Sequence, residues 1–203
     1  MAVCYVVGAG DCTLLDFEKK SGDLIIAADG GYKYLASAGI KPDILVGDFD
    51  SLGDIPENEN IVRLNPVKDI TDMDAAVGIG IEKGYSEFVI YGALGGRFDH
   101  SLANVQLLAR LSQQGKKAEL RNGETVITAV TDGKITFDSS HKGYVSVFSH
   151  SDICGKVCIR GLKYTLEDAA LKNTFTLGIS NEFIGSESEI IIEKGTAIII
   201  YNP

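Results

Sequence analysis

Two carboxylates, Asp48 and Asp50, follow Gly47 at the end of the apolar run Ile44-Leu45-Val46. If the segment is still extended there, positions i and i+2 point to the same side. Carboxylates held so close repel each other unless a cation sits between them. Hard oxygen donors suit Mg²⁺, which takes one or two carboxylates and leaves its other positions to water and substrate phosphates. The spacing therefore predicts a metal site for phosphate chemistry, placed where open α/β sheets bind ligands. The competing reading is a solvated acidic loop.

A second constellation is Gly92-Ala93-Leu94-Gly95-Gly96-Arg97-Phe98-Asp99-His100. Gly95 and Gly96 free the backbone, and Arg97 stands at the mouth of a predicted helix. Arginine meets phosphate oxygens bidentately and does not lose its charge. His100 and Asn104 are four apart and share a helix face. The alternative is a glycine loop with a surface arginine and a helix cap. No G-x-x-x-x-G-K-[ST] run occurs, so this is not a P-loop.

Three weaker segments stand beside these. Lys68-Asp69-Ile70-Thr71-Asp72 places carboxylates just before a helix. Thr71 suits an N-cap, and Asp72 could reach a metal at the same time. Asp29-Gly30-Gly31 fits either an anion site at a helix start or a tight turn capped by Asp29. Gly8-Ala9-Gly10-Asp11 is only faintly like a nucleotide turn. His141, His150, Cys154 and Cys158 match no standard zinc spacing, and nothing points to a Ser-His-Asp or Cys-His nucleophile.

These residues need elements to hold them. Val3 to Ala9 and Leu24 to Ala28 are continuous apolar runs, as in strands buried on both faces of a parallel sheet. Ile44 to Val46, Ile61 to Leu64 and Phe88 to Tyr91 read as further strands. Helices are expected around Tyr32–Gly39, from Thr71 to Gly84, and from about Asp99 to Gln113. The last carries Leu102, Val105, Leu108 and Ala109 as its apolar face. This alternation predicts a doubly wound, mostly parallel α/β layer. Past residue 120 the pattern changes to short β-rich segments, with turn signals at Thr131-Asp132-Gly133-Lys134 and Glu193-Lys194-Gly195-Thr196. Helical periodicity is limited to Leu166–Leu171. An all-β sandwich is expected there, with the boundary near Asn122-Gly123.

The 203 residues are 45% hydrophobic and 23% charged, with a formal net charge of −9. That balance argues against a broad nucleic-acid-binding surface, which needs a basic stripe. The four cysteines form no disulfide framework, which points to a reducing compartment. The N-terminus reads as a first strand and not a signal peptide, and no apolar run approaches the ~18 residues of a membrane span. The expectation is a cytoplasmic protein that binds neither membrane nor nucleic acid.

Taken together, Asp29-Gly30-Gly31, Gly47 to Ser51, Thr71-Asp72, and Gly95 to His100 with Asn104 resemble thiamine pyrophosphokinases in order and spacing. Gly161-Leu162-Lys163-Tyr164 and Ser180-Asn181 extend the resemblance over the whole chain. It implies an α/β catalytic domain over 1–122 that binds ATP and Mg²⁺. It also implies a β-sandwich over 123–203 that binds thiamine and dimerises. In the family, thiamine lies where one subunit's N-terminal domain faces its partner's C-terminal domain, so a homodimer is expected. Carried over, Asp48, Asp50 and Asp72 hold Mg²⁺. Asp29, Gly30, Gly95, Gly96, Arg97, Asp99, His100 and Asn104 make the nucleotide and phosphate side. Tyr164 stacks on thiamine, with Ser180 and Asn181 contacting it. Some relatives carry tryptophan at the Tyr164 position, and tyrosine offers a smaller face.

The implied reaction moves the pyrophosphoryl group of ATP to the thiamine hydroxyl, with Asp72 or Asp69 as candidate base and Arg97 as fixed positive charge. Three rivals remain at this point. They are a pyrophosphokinase for another hydroxymethyl heterocycle such as a pterin, a Mg-ATP sensor without turnover, and a Mg²⁺-dependent phosphohydrolase.

Overall fold

The computed structural model describes residues 2–47, 60–63 and 69–202. The chain divides into two compact units, Met1–Leu107 with Leu120–Gly123, and Leu108–Glu119 with Glu124–Pro203.

The first unit contains β1 (Cys4–Val7), β2 (Leu24–Ala28), α1 (Gly31–Ser37), β3 (Ile44–Gly47), β4 (Ile61–Arg63), α2 (Asp72–Glu82), β5 (Glu87–Tyr91) and the start of α3 (Phe98–Gln113). Its strands run in the order β5-β1-β2-β3-β4, and every pairing is parallel. Strand β1 is the point of reversal: β2 pairs on one side of it and β5 on the other. Loops leaving the two sides of such a strand diverge, which opens a crevice at its carboxyl end.

Alternation along β1 sends residues to opposite faces. Val7 joins Ile25, Ala27, Leu35, Leu45 and Tyr91 in one buried cluster, which anchors α1 through Leu35. Burying such a leucine contributes roughly 1.5–3 kcal/mol. Cys4 points the other way, where α2 comes so close that a Cβ on Gly80 would lie 2.8 Å from its Sγ. The N-cap of helix α1 is Gly30, not Asp29, and no side chain caps it there. By contrast, α2 is capped as its sequence predicts: the Thr71 hydroxyl accepts from the Asp74 N–H at 3.1 Å.

The predicted apolar face of α3 needs correcting. Leu102 is exposed, while Asn104, Leu107, Leu108 and Leu111 are buried. The buried stripe keeps the i, i+3, i+4, i+7 spacing but starts at a polar residue, which hydropathy alone passes over.

The second unit is built from strands apart from the end of α3. They are β6 (Lys117–Asn122, shared with the first unit), β7 (Thr125–Phe137), β8 (Tyr144–Ser149), β9 (Ile153–Arg160), β10 (Leu166–Lys172), β11 (Asn181–Glu182) and β12 (Ser188–Tyr201). Strands β10, β9, β12 and β7 are neighbours in that order, and β8 pairs with both β12 and β11. Two expectations fail here. Leu166–Leu171 is not helical; it pairs antiparallel with β9 through two register shifts, and Asp168 sits at φ 51°.

The two turn signals do not make turns either. Residues 131–134 lie inside β7 and 193–196 inside β12, and the two irregular stretches face each other. The Gly195 N–H donates to Asp132 Oδ1 at 2.7 Å, which closes the distortion. Inward-facing residues shift phase across it, from Ile190 and Ile192 to Ala197 and Ile199. This is what a bulge does: it inserts residues, bends the strand and resets which side faces the core. The first half of β12 thereby pairs with β9 and the second with β8, around one core that includes Phe137, Val147 and Ile159.

Candidate active site

Where β1 and β5 end, their loops press together backbone to backbone. A Cβ on Gly92, whose φ is 59°, would lie 2.2 Å from the Gly8 carbonyl oxygen. The ladder continues past both strands: Gly10 N–H donates to Gly92 O at 2.8 Å and Asp11 N–H to Leu94 O at 2.7 Å. Beside this seam lies a cavity of about 290 Å³. Its walls are Gly8-Ala9-Gly10 after β1, Asp29 after β2, Thr71 and Asp72 at the start of α2, and Gly95, Gly96, Arg97, His100 and Asn104 around the start of α3.

The acidic wall comes from two chain segments far apart in sequence. Asp29 takes φ 49°, and its N–H donates to Val46 O at 2.7 Å. This ties the end of β2 to β3. Gly47 packs on the Asp29 backbone, where a Cβ would stand 3.2 Å from the Asp29 Cα. Asp48 follows Gly47 in sequence, but Asp48 and Asp50 lie outside the described residues. Asp72 occupies the first turn of α2, where the helix dipole favours a negative charge. Among the described residues no three His, Cys, Asp or Glu side chains gather tightly enough to hold an ion. Asp29 and Asp72, two partly exposed oxygen donors on one cavity, still suit the Mg²⁺ requirement for few carboxylates and open positions.

The basic wall is set by α3. Asn104 is 7% exposed and donates Nδ2 to the Ala93 carbonyl at 2.7 Å. This bond fastens the glycine loop to the helix. Arg97 is exposed and held by Asp99, with Nη2–Oδ2 at 2.6 Å and Nε–Oδ1 at 3.2 Å. Hydrogen bonding to Arg97 holds the Asp99 carboxyl below the usual carboxylate range, and the same pairing raises the Arg97 guanidinium. Asp99 also accepts from the His100 N–H at 3.0 Å, so it organises the first turn of α3.

Of the predicted residues, Gly30, Asp69 and Asp99 do not line the cavity. Asp69 is exposed two residues before the Thr71 cap reaches the wall. Gly8, Ala9 and Gly10 line the cavity although their spacing fits no nucleotide fingerprint. Their position after the first strand of an alternating chain is the signal that agrees with the cavity. Asp11, which closes the same segment, does not line the cavity, but its carboxylate lies against Gly95, where a Cβ would stand 2.0 Å from Oδ2.

The second unit holds the other predicted group. Tyr164 is 59% exposed, at the end of a segment that bridges to Phe183 through Leu162. Asn181 is 4% exposed and is bonded to the Tyr164 backbone. Ser180 is exposed at φ 59°, and its N–H donates to Ser146 Oγ at 3.1 Å. The candidate zinc set disperses: His141 packs on Phe137, and the Cys154 thiol donates to Thr196 O at 3.1 Å.

The two units coincide broadly with two family models. Residues 17–120 match "Thiamin pyrophosphokinase, catalytic domain", and residues 133–199 match "Thiamin pyrophosphokinase, vitamin B1 binding domain". Thiamine pyrophosphokinase of Bacillus subtilis (strain 168) is 33% identical over 185 residues, covering 87% of this chain and 86% of its own. A crystal structure of thiamine pyrophosphokinase from Bacillus subtilis superposes with a TM-score of 0.88 at 29% identity, over 98% of both chains. The thiamin pyrophosphokinase structure from Geobacillus thermodenitrificans gives 0.86 at 28% identity, over 99% of this chain and 97% of that one. Two consecutive domain models, a relative matched over most of its length and a shared two-domain architecture converge: the chain belongs to the thiamine pyrophosphokinase family.

Proposed function

We propose that this protein is a thiamine pyrophosphokinase, which transfers the pyrophosphoryl group of ATP to the hydroxyl of thiamine and releases AMP and thiamine diphosphate. One observation carries the chemistry: a single cavity at the β1 reversal point is lined by Arg97 and also by Asp72 and Asp29. A polyphosphate needs both, cationic donors for its oxygens and carboxylates for the metal that accompanies it.

The thiamine hydroxyl attacks the β-phosphorus, and the bond between the α and β phosphates breaks. Mg²⁺, when bound, neutralises phosphate charge and polarises the group being transferred. Asp72, with Asp48 and Asp50, are the residues proposed to hold it. Arg97 presents its remaining donors to phosphate oxygens, and the Gly95-Gly96 backbone lets the chain approach them. Asn104 keeps that loop in place through Ala93. Of the two candidate bases, Asp72 lines the cavity and Asp69 does not, so Asp72 receives the hydroxyl proton. Catalysis of this kind is mostly alignment and charge compensation.

Residues 1–122 form the proposed catalytic domain, and 123–203 the thiamine-binding and dimerisation domain. Tyr164 stacks on the heteroaromatic part of thiamine, with Ser180 beside it. A homodimer with thiamine at the subunit interface is supported by apolar side chains left exposed on the second unit, among them Tyr144, Phe175 and Ile184. A cytoplasmic location agrees with four free cysteines. No helix among the described residues is long and apolar enough to cross a membrane. Net acidity disfavours nucleic acid as a partner.

The deciding experiment is incubation with ATP, Mg²⁺ and thiamine, followed by product identification. AMP and thiamine diphosphate in equal amounts are expected. AMP or phosphate released without thiamine would point to a phosphohydrolase, and faster turnover of a hydroxymethylpterin would reassign the acceptor.

A further inference from the structure

Asn181 was expected to touch thiamine, yet its amide is almost fully committed inside the protein. Oδ1 accepts from the Tyr164 N–H at 2.9 Å and from the Glu182 N–H at 2.9 Å. Nδ2 donates to the Tyr164 carbonyl at 2.6 Å. An asparagine side chain has two acceptor positions and two donor hydrogens, so one hydrogen remains, on a residue only 4% exposed. The orientation of the amide is also determined, since exchanging O and N would set donors against donors.

Asn181 therefore holds Tyr164 by both its backbone N–H and its backbone carbonyl. The surrounding segment adds to this grip. Lys163 N–H donates to Glu182 O at 3.0 Å, and Leu162 bridges to Phe183. The Lys163 ammonium pairs with Glu182 at 2.9 Å and stands 5.5 Å from the centre of the Tyr164 ring. That cation takes one face of the ring and leaves the other for a stacking partner. A ring 59% exposed on a short loop has little packing to fix it, so the hold on its backbone matters more.

We infer that Asn181 is a positioning residue that sets thiamine affinity through Tyr164 without contacting thiamine. This rests on the assignment of Tyr164 to the thiamine site made above. Stacking depends on ring orientation, so a loosened Tyr164 weakens thiamine binding while leaving the nucleotide side untouched.

A double-mutant cycle on the full-length enzyme tests this. Asn181→Ala is expected to raise KM for thiamine about 10-fold, within the range for losing a buried hydrogen-bonding partner. Both kcat and KM for ATP should stay within about 2-fold of wild type. Asn181→Asp keeps the two accepted bonds but sets a carboxylate oxygen against the Tyr164 carbonyl, where the amide donated at 2.6 Å. It is expected to raise KM for thiamine at least as far as Asn181→Ala, and it supplies the test if Asn181→Ala fails to fold. In a Tyr164→Ala background, either Asn181 change should add less than about 2-fold. Equal effects with and without Tyr164 would mean a direct contact with thiamine and would overturn the inference. Hydrogen exchange of the Tyr164 amide reports without catalysis: faster exchange in Asn181→Ala is expected, and unchanged exchange would also overturn it. If Tyr164→Ala leaves KM for thiamine unchanged while that amide exchanges faster in Asn181→Ala, the failure lies in the Tyr164 assignment, and the affinity role falls with it.

Discussion

Arg97 and Asp99 form a two-point ion pair at the cavity mouth, and both partners are largely exposed, at 73% and 63% of their side chains. An exposed pair adds little to stability, so its purpose is sought in the chemistry. Arg97→Ala is expected to lower kcat/KM roughly 10²-fold, the scale of losing one preorganised donor. The midpoint of urea unfolding should not move. Arg97→Lys should not restore the rate, because an ammonium lacks the planar fork. An unchanged kcat/KM in Arg97→Ala would remove it from the site.

Asp48→Asn, Asp50→Asn and Asp72→Asn should each abolish turnover at ordinary Mg²⁺ while the circular dichroism spectrum stays that of wild type. Raising Mg²⁺ should recover part of the rate in Asp72→Asn. Wild-type rates in any of the three would contradict a metal role for that residue.

Much of this site could be read from the chain, for identifiable reasons. Continuous apolar strands, the Thr71 cap and the glycine-flanked Arg97 are local signals, and each survives folding unchanged. What escaped was non-local. The Gly8-Ala9-Gly10 wall acquires meaning only because β5 pairs with β1 and brings Gly92 against Gly8. Leu102 was assigned to a buried face because Asn104, which begins the real stripe, is polar. The segments around Asp132 and Gly195 carry good turn residues; whether they turn or bulge depends on partners more than sixty residues away.

Thr71 caps α2 with its hydroxyl, and no basic residue in the last turn offsets its loss. Thr71→Ala should destabilise the protein by about 1 kcal/mol, measured by urea unfolding. Thr71→Ser should lose much less. Since Asp72 follows directly, kcat should fall as well if the start of the helix frays.

Asp16 joins Tyr91, whose hydroxyl donates to it at 2.5 Å, and Arg121 at 3.0 Å. Burial opposes ionisation of Asp16, but these two partners outweigh it and hold the carboxyl below its ordinary 3.8. A depressed carboxyl stabilises the fold above the ordinary value, and that contribution fades as pH falls through the folded value. Asp16→Asn should therefore be less stable than wild type at pH 7. The gap should close as pH drops below 3.8. Because Asp16 is 43% exposed, the gap should be small and should shrink with added salt. A constant gap across that range would remove the ion pair as its cause.

Strand β12 follows every strand it pairs with, and it alone joins β7, β8 and β9. During synthesis, the earlier strands leave the ribosome with their shared edge open and their apolar residues waiting. Tyr201 finds Val126 only when the ribosome has passed both. Assembly of this half is therefore a late, long-range event, slow in the way that distant pairings are slow. A nascent chain halted before residue 188 would carry exposed strand edges, the kind that chaperones recognise and that aggregate when left alone.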